Sequence, residues 1–275
     1  MTDTNVKVRE HYSALGLTDR IKAALAAIAP ENQTLTVPQL APLDQFHTRG
    51  ILATSELAAA ARIDSSTHVL DLGCGIGGPV RYLAATFGCK VTGIDLSPAF
   101  IDAAIFLTAR CGLSDRVSFQ VGDALNLPFD DASFDVVFLQ HVAMNIEDRT
   151  GLYTGVSRML EREGRLATYD LVLRDGDVMY PVPWARDASA SFLLTESDTR
   201  TALEEAGYST VFWRDDTKVA LDWFKTVIGT QPQSGPNLGV VMGQDFSAMT
   251  GNLARNLREN RVGVLSAVLT VLTRG

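Results

Sequence analysis

The segment that most limits how this chain can fold is Asp71-Leu72-Gly73-Cys74-Gly75-Ile76-Gly77-Gly78, which follows the apolar run His68-Val69-Leu70. His68-Val69-Leu70-Asp71-Leu72, a short apolar run ending in glycines, reads as a strand buried on both faces, as strands of parallel sheets are. Glycines are needed where the backbone turns tightly and lies close to a ligand with no Cβ in the way. Residues 79–85, ending at Gly88, read as a helix. The loop therefore joins a strand to a helix at one edge of a sheet.

The same alternation continues downstream. Residues 90–95 read as the next strand, and Ser97-Pro98 supplies an N-cap and a first-turn proline for a helix through Ala109. Residues 117–121 and 135–139 read as strands separated by a turn at 128–132. A helix near 152–161 leads to a fifth strand at 165–173. Strands and helices in this order predict right-handed βαβ units and a doubly wound, mostly parallel α/β sheet.

The flanks read differently. Residues 1–62 are alanine-rich and helical in character. Thr18 or Asp19 is placed to cap a helix that runs to Pro30, a loop is expected at Pro38 and Pro42, and a second helix is expected near 51–61. Beyond Arg174 the pattern loosens into an irregular loop at Tyr180-Pro181-Val182-Pro183-Trp184. Thr195 to Asp198 opens a helix to Ala206, and a strand follows at 208–215. A Gly/Pro-rich loop at 229–239 and an amphipathic helix at 245–259 come next, and residues 262–272 fit either strand or helix. The expected division is an N-terminal helical cap segment at 1–62, a cofactor-binding α/β core at 63–174, and a remainder at 175–275 holding further strands and helical cap elements.

Charge narrows the partners. The net charge of −8, with no cluster of Lys and Arg, disfavours nucleic acid and anionic membrane and leaves a small molecule as the expected partner. The first residues lack an apolar core of signal-peptide length, and residues 262–272 are too short and too polar to span a bilayer. Cys74, Cys89 and Cys111 are odd in number and lack metal-ligand spacing, so reduced thiols in a cytoplasmic protein are expected. The histidines lie far apart, and Asp130-Asp131 and Asp215-Asp216 read as loop and strand-end charges, so no metal site is expected.

Gly73, Gly75 and Gly78 also satisfy the dinucleotide fingerprint, which leaves a nicotinamide or flavin enzyme open. Carboxylates separate the two readings. Asp71 precedes the glycines, where it would repel a pyrophosphate but can hold an ammonium group. Asp95 ends the second strand, where it can accept from ribose hydroxyls, a role common to both readings. Asp123, in Gly122-Asp123-Ala124 after the third strand, can accept an adenine amine. A ligand with an ammonium, a ribose and an adenine but no phosphate is S-adenosylmethionine.

On these residues the chain resembles the class I S-adenosylmethionine-dependent methyltransferases. The matching segments are VLDLGCGIGG at 69–78, VTGIDLS at 91–97, Gly122–Ala124, PFDDASFDVV at 128–137 and MLEREGRL at 159–166. Within that group it is similar to the branch acting on small amines, sugars, phenols and tocopherol-like rings, with QHVAMNI at 140–146 and NLARNL at 252–257 as supporting segments. Glu161-Arg162-Glu163-Gly164 departs from the usual Pro-Gly turn. The resemblance implies seven strands, the last antiparallel, with helical insertions over the substrate. It also implies that Asp71, Gly73, Gly75 and Gly77 hold the methionine part of the cofactor, Asp95 and Leu96 the ribose and adenine, and Asp123 and Ala124 the adenine. Gln140 would lie beneath the sulfonium.

His141, which follows the fourth strand at the carboxyl edge and belongs to the one side-chain type that titrates near neutrality, is the candidate general base. His47 and Trp184 are candidate substrate contacts, and Tyr12 could cover the sulfonium with its ring. Trp213 and Trp223-Phe224 are further aromatic features of the expected cap. The expected activity is methyl transfer to an N, O or C atom of a small, apolar or ring-bearing metabolite. Two alternatives stay open: a methyltransferase-like fold that binds the cofactor without transferring methyl, and a nicotinamide-dependent oxidoreductase.

Overall fold

The apolar runs assemble one sheet. In the computed structural model, which describes residues 16–227, 236–243 and 245–271, seven strands lie in the order β3-β2-β1-β4-β5-β7-β6. They are β1 (His68–Leu72), β2 (Lys90–Asp95), β3 (Val117–Val121), β4 (Phe134–Gln140), β5 (Leu160–Leu173), β6 (Tyr208–Asp215) and β7 (Val262–Val271). The first five pair in parallel, and β7 inserts antiparallel between β5 and β6. The chain thus reverses its winding between β1 and β4, which in open α/β sheets is where a crevice forms outside the strands' carboxyl ends.

The helices are α1 (Leu17–Ala26), α2 (Val37–Asp44), α3 (Ile51–Ala60), α4 (Gly78–Phe87), α5 (Pro98–Arg110), α6 (Arg149–Met159), α7 (Glu196–Glu205), α8 (Thr217–Val227), α9 (Leu238–Met242) and α10 (Phe246–Arg258). Alternate strand residues feed two cores. Val136 and Phe138 pack with Leu57, Val80, Phe224 and Leu257 on one face, while Val137 and Leu139 pack with Leu152, Val156 and Leu203 on the other. A third cluster joins α1, α2, α5 and α9 through Ile21, Leu25, Leu40, Leu107 and Val241. That cluster seats the N-terminal helices beside the glycine loop.

Several expectations are corrected. α1 begins at Leu17, with Gly16 in the left-handed conformation before it, so Asp19 sits in the first turn and neither Thr18 nor Asp19 is the cap. It ends at Ala26, short of Pro30. The expected loop at Pro38 and Pro42 is instead α2. Pro38 falls in the first turn, where its missing N–H is not needed, and Thr36 N donates to Gln39 Oε1 at 2.8 Å to close the helix start. β5 starts five residues earlier than expected, at Leu160. The amphipathic helix α8 was not expected, and residues 262–271 are strand. Most of the expected 229–239 loop lies outside the described residues, and its end forms α9. No helix among the described residues is long and apolar enough to cross a membrane.

Candidate active site

A cavity with about 1290 Å³ of empty space, its open mouth included, lies at the winding reversal. The strands deliver its polar floor: Asp71 from β1, Asp95 from β2, Asp123 and Ala124 just after β3, and Gln140 and His141 at the end of β4. The glycine loop crosses between β1 and α4. Gly73 has φ 75°, and a Cβ there would collide with the Val142 side chain. Asp95 pins the loop, since Oδ2 accepts from Gly75 N and Oδ1 from Ser97 N, both at 2.9 Å. Each oxygen keeps a lone pair for a ligand hydroxyl. Burial raises the Asp95 carboxyl to about 6.

Asp71 is the least satisfied group of the site. It is buried, and its Oδ2 has no hydrogen-bond partner among the described residues. Burial, with the Asp95 charge adding, raises its carboxyl to about 7. Gln140 Nε2 is likewise buried and unpartnered, while Gln140 Oε1 accepts from Thr54 Oγ1 at 3.3 Å. Asp44, Asp71, Asp95 and Asp123 line the cavity, and none of its described lining residues is Lys or Arg. The Asp44 charge is met from behind by Arg81, whose Nη2 lies 2.8 Å from Asp44 Oδ2, with both side chains fully buried.

The two imidazoles stand side by side. His47 and His141 have ring centroids 6.1 Å apart at 75°, and His141 stacks on Tyr169 at 5.5 Å and 4°. His141 takes φ 54°, an uncommon conformation for a residue with a side chain, and its N–H donates to Tyr169 O at 2.9 Å. Burial lowers His47 to about 4 despite the Gly50 carbonyl. Burial, then the neighbouring His47, lowers His141 well below its ordinary value. Both rings are therefore neutral at pH 7, whereas the sequence suggested that His141 titrates near neutrality.

The remaining lining is apolar: Phe46, Phe100, Met144, Ile146, Pro183, Trp184, Met242 and Phe246 among others. Asn145 ties part of this roof down, donating to Trp184 O at 2.8 Å and Ala190 O at 3.0 Å. Asn252 holds Pro181 O at 2.9 Å, and Asn256 both donates to Met179 O and accepts from Met179 N. The Trp184 indole N–H donates to Ser191 Oγ at 2.9 Å, so the ring is anchored.

The structure gathers Asp71, Gly73, Gly75, Asp95, Leu96, Asp123, Ala124, Gln140, His141, His47 and Trp184 around this one cavity. Gly77 does not line it. Gly77 is the left-handed residue before α4, where a Cβ would meet Phe119 and Arg81. Tyr12 lies outside the described residues. Trp213 is stacked on Arg200 and bonded to Glu196, and Phe224 is a core residue, so neither joins the lining. Sequence reading missed Asp44, Thr48 and Thr54, along with Phe46, Phe100, Met242 and Phe246. These come from α2, α3 and the loop between them, from α5, and from α9 and α10, whose approach to the cavity leaves no local motif. No group of three or more His, Cys, Asp or Glu among the described residues is placed to hold a metal ion.

Comparison with known proteins bears on this arrangement. Residues 70–168 match a family model described as a methyltransferase domain. Methyltransferase GfsG of Streptomyces halstedii is 34% identical over 137 residues, covering 50% of this chain and 49% of that protein. A probable chloroplastic tocopherol O-methyltransferase of Oryza sativa subsp. japonica is 43% identical over 98 residues, 36% of this chain and 27% of that protein. The matched stretch thus spans half or less of these relatives' lengths. Among solved structures, geranyl diphosphate C-methyltransferase from Streptomyces coelicolor A3(2), in complex with Mg2+, geranyl diphosphate and S-adenosyl-L-homocysteine, superposes with a TM-score of 0.71 at 16% identity, covering 99% of each chain. At that identity the likeness concerns the fold.

Proposed function

Taking as premise that residues 70–168 carry a methyltransferase domain, we propose that the protein transfers a methyl group from S-adenosylmethionine to a small, neutral, apolar or ring-bearing metabolite. The observation that carries this reading is the unpartnered, buried Oδ2 of Asp71 in a cavity lined by aspartates and, among its described residues, by no cation. A buried carboxylate without a partner is costly, and a cationic ligand relieves that cost. A pyrophosphate would raise it.

The bound donor supplies a methyl group already activated by a positive sulfur. Everything else is work for the chain's own side chains. Asp71 would receive the ammonium end, with Gly73 and Gly75 giving the backbone room to approach. Asp95 would accept from the ribose hydroxyls with its remaining lone pairs, beside Leu96. Asp123 and Ala124 would border the adenine. Gln140, its carbonyl held by Thr54, offers a free N–H beside the reacting centre.

Phe46, Met144, Ile146, Trp184, Met242 and Phe246 would exclude water and press an apolar acceptor molecule toward the two imidazoles. Holding nucleophile and methyl group in line can supply up to ~7–11 kcal/mol of the barrier, so a strong electrophilic catalyst is not required. His141 and His47 are the polar groups placed to handle the acceptor's proton.

Titration calorimetry with S-adenosylhomocysteine, followed by a metabolite screen with labelled methyl donor, tests this reading. Saturable heat and label transfer to a small neutral acceptor are the expected results. Absence of heat with either form of the donor, together with tight binding of a nicotinamide dinucleotide, would overturn it.

A further inference from the structure

His47 and His141 are both neutral, so what each can do depends on which ring nitrogen carries the proton, and their neighbours decide that. His47 Nε2 lies 2.9 Å from the Gly50 carbonyl, which can only accept. Thr54 Oγ1, 3.1 Å from the same nitrogen, spends its own proton on Gln140 Oε1 and is also an acceptor there. His47 therefore carries its proton on Nε2, and Nδ1 holds a lone pair. No hydrogen bond to that Nδ1 exists among the described residues, and the ring lines the cavity.

The opposite polarity reaches His141. The Arg49 guanidinium acts on the Tyr169 phenol as a neighbouring positive charge and hydrogen-bond donor. A guanidinium can only donate, so the phenol's proton turns away from it, toward Thr48 Oγ1 at 2.9 Å. Thr48, having accepted, points its own proton at His141 Nε2, 3.4 Å away. His141 Nε2 is then an acceptor, and the ring's proton resides on Nδ1. Thr48 and Tyr169 are buried, and Arg49 is itself held by Glu56 and Asp216, so water has little access to reverse the chain.

We infer that His47 and His141 form a complementary acceptor–donor pair that reads a single hydroxyl group, which makes the substrate of the proposed methyl transfer an alcohol or phenol and the product its methyl ether. This inference rests on the methyltransferase reading above. Two hydrogen bonds meeting at a roughly tetrahedral angle on one oxygen put their nitrogens about 4.5–5 Å apart, a span within the reach of rings whose centroids are 6.1 Å apart.

Chemistry favours oxygen over nitrogen. A hydroxyl can give its proton to His47 Nδ1, accept from His141 Nδ1–H with one lone pair, and still have a second lone pair for attack. A neutral amine that accepted from His141 would have none left. As the oxygen forms its bond to the methyl carbon, the carbon–sulfur bond breaks with its electron pair left on sulfur, and the hydroxyl proton passes to His47 Nδ1. Water removes that proton after the ether leaves. An oxygen giving up electron density is far more acidic than a free hydroxyl, so a base weakened by burial is sufficient. His47, rather than His141, is then the proton acceptor, and Thr48 and Tyr169 are positioning residues acting through His141.

Long-range proton–nitrogen NMR of ¹⁵N-histidine protein tests the assignment without any substrate, with signals assigned by single substitutions. His47 in the Nε2–H form and His141 in the Nδ1–H form are expected, and Tyr169→Phe should shift His141 toward a mixture while leaving His47 unchanged. His141 found in the Nε2–H form would overturn the proposal. Calorimetry with S-adenosylhomocysteine on the same sample reports on the cofactor separately, so failure of the donor reading leaves the tautomers readable. With labelled donor and parallel panels of neutral phenols, alcohols and amines, ethers are expected. His47→Ala should lower turnover about 10²–10⁴-fold with cofactor-product affinity unchanged, and Tyr169→Phe should lower kcat less. N- or C-methyl products, or wild-type turnover by His47→Ala, would overturn it.

Discussion

Asp71 behaves unlike an ordinary surface carboxylate because its buried Oδ2 has no hydrogen-bond partner among the described residues. Its carboxyl is raised to about 7, first by burial and then by Asp95, so below pH 7 the free protein increasingly holds a proton there. An arriving ammonium favours the ionised form, and the proton must leave. Affinity for the cofactor product should therefore fall as pH drops from 7 to 5.5, by up to tenfold per unit, with Asp95 adding below about 6. Calorimetry at pH 6 in buffers of different ionisation enthalpy should show release of close to one proton, declining toward pH 7.5. Asp71→Asn should remove most of that release and weaken binding at every pH. Proton uptake at pH 6 would contradict the role given to Asp71. The carboxylates of this site were legible because each sits at the end of an apolar run, where the strand's edge is visible in the residue pattern. The tautomers of the histidines were not, because they depend on Gly50, Thr54, Thr48 and Tyr169, which only the fold brings together.

At the scale of elements, the cavity's wall depends on how α2 docks. Arg81 projects from α4, is fully buried, and donates to Asp44 Oδ2 and Ile76 O, each at 2.8 Å, so one guanidinium ties α2 to the glycine loop. At Gly78 the two elements approach so closely that a Cβ would fall inside contact distance of the Asp44 carbonyl. Arg81→Met leaves the Asp44 carboxylate buried without its partner and should cost about 3–5 kcal/mol in urea unfolding. Arg81→Met combined with Asp44→Leu should recover most of that loss, because the uncompensated charge is gone. A double variant as unstable as the single one would mean that the ion pair itself, rather than the orphaned charge, dominates. This clamp was illegible in the sequence. Two prolines in α2 argued for a loop, and their first-turn and late positions are tolerated only because Leu40 and Leu43 bury against α1, α5 and Ile76. The parallel strands β1, β2 and β3 coincide with their expected spans, since strands covered on both faces are apolar runs with sharp ends. α8 was missed because Asp215-Asp216 read as strand-end charges, whereas Asp215 Oδ1 accepts from Thr217 N at 2.8 Å at the helix start, and Ala220 and Phe224 hold its inner face in the core.

For the molecule as a whole, charge and shape point the same way. The chain carries a net charge of −8, and its cavity is lined by four aspartates, Asp44 being paired with a buried cation. The field in a low-dielectric cleft is focused, so a ligand with net positive charge should be drawn in and held while a neutral relative with the same hydrogen-bonding groups gains less. S-adenosylmethionine carries the sulfonium charge, and its demethylated product does not. Added salt screens this preference, the Debye length shrinking from about 10 Å at 0.1 M to about 3 Å at 1 M. Raising salt across that range should weaken binding of the methyl donor several-fold while changing affinity for the product little, as measured by calorimetry on both ligands at pH 7.5. Equal salt dependence for the two would mean that the aspartates act only as local hydrogen-bond acceptors. A donor-selective dependence would mean that the acidic surround also helps expel the spent cofactor, because the charge that held it disappears with the methyl group.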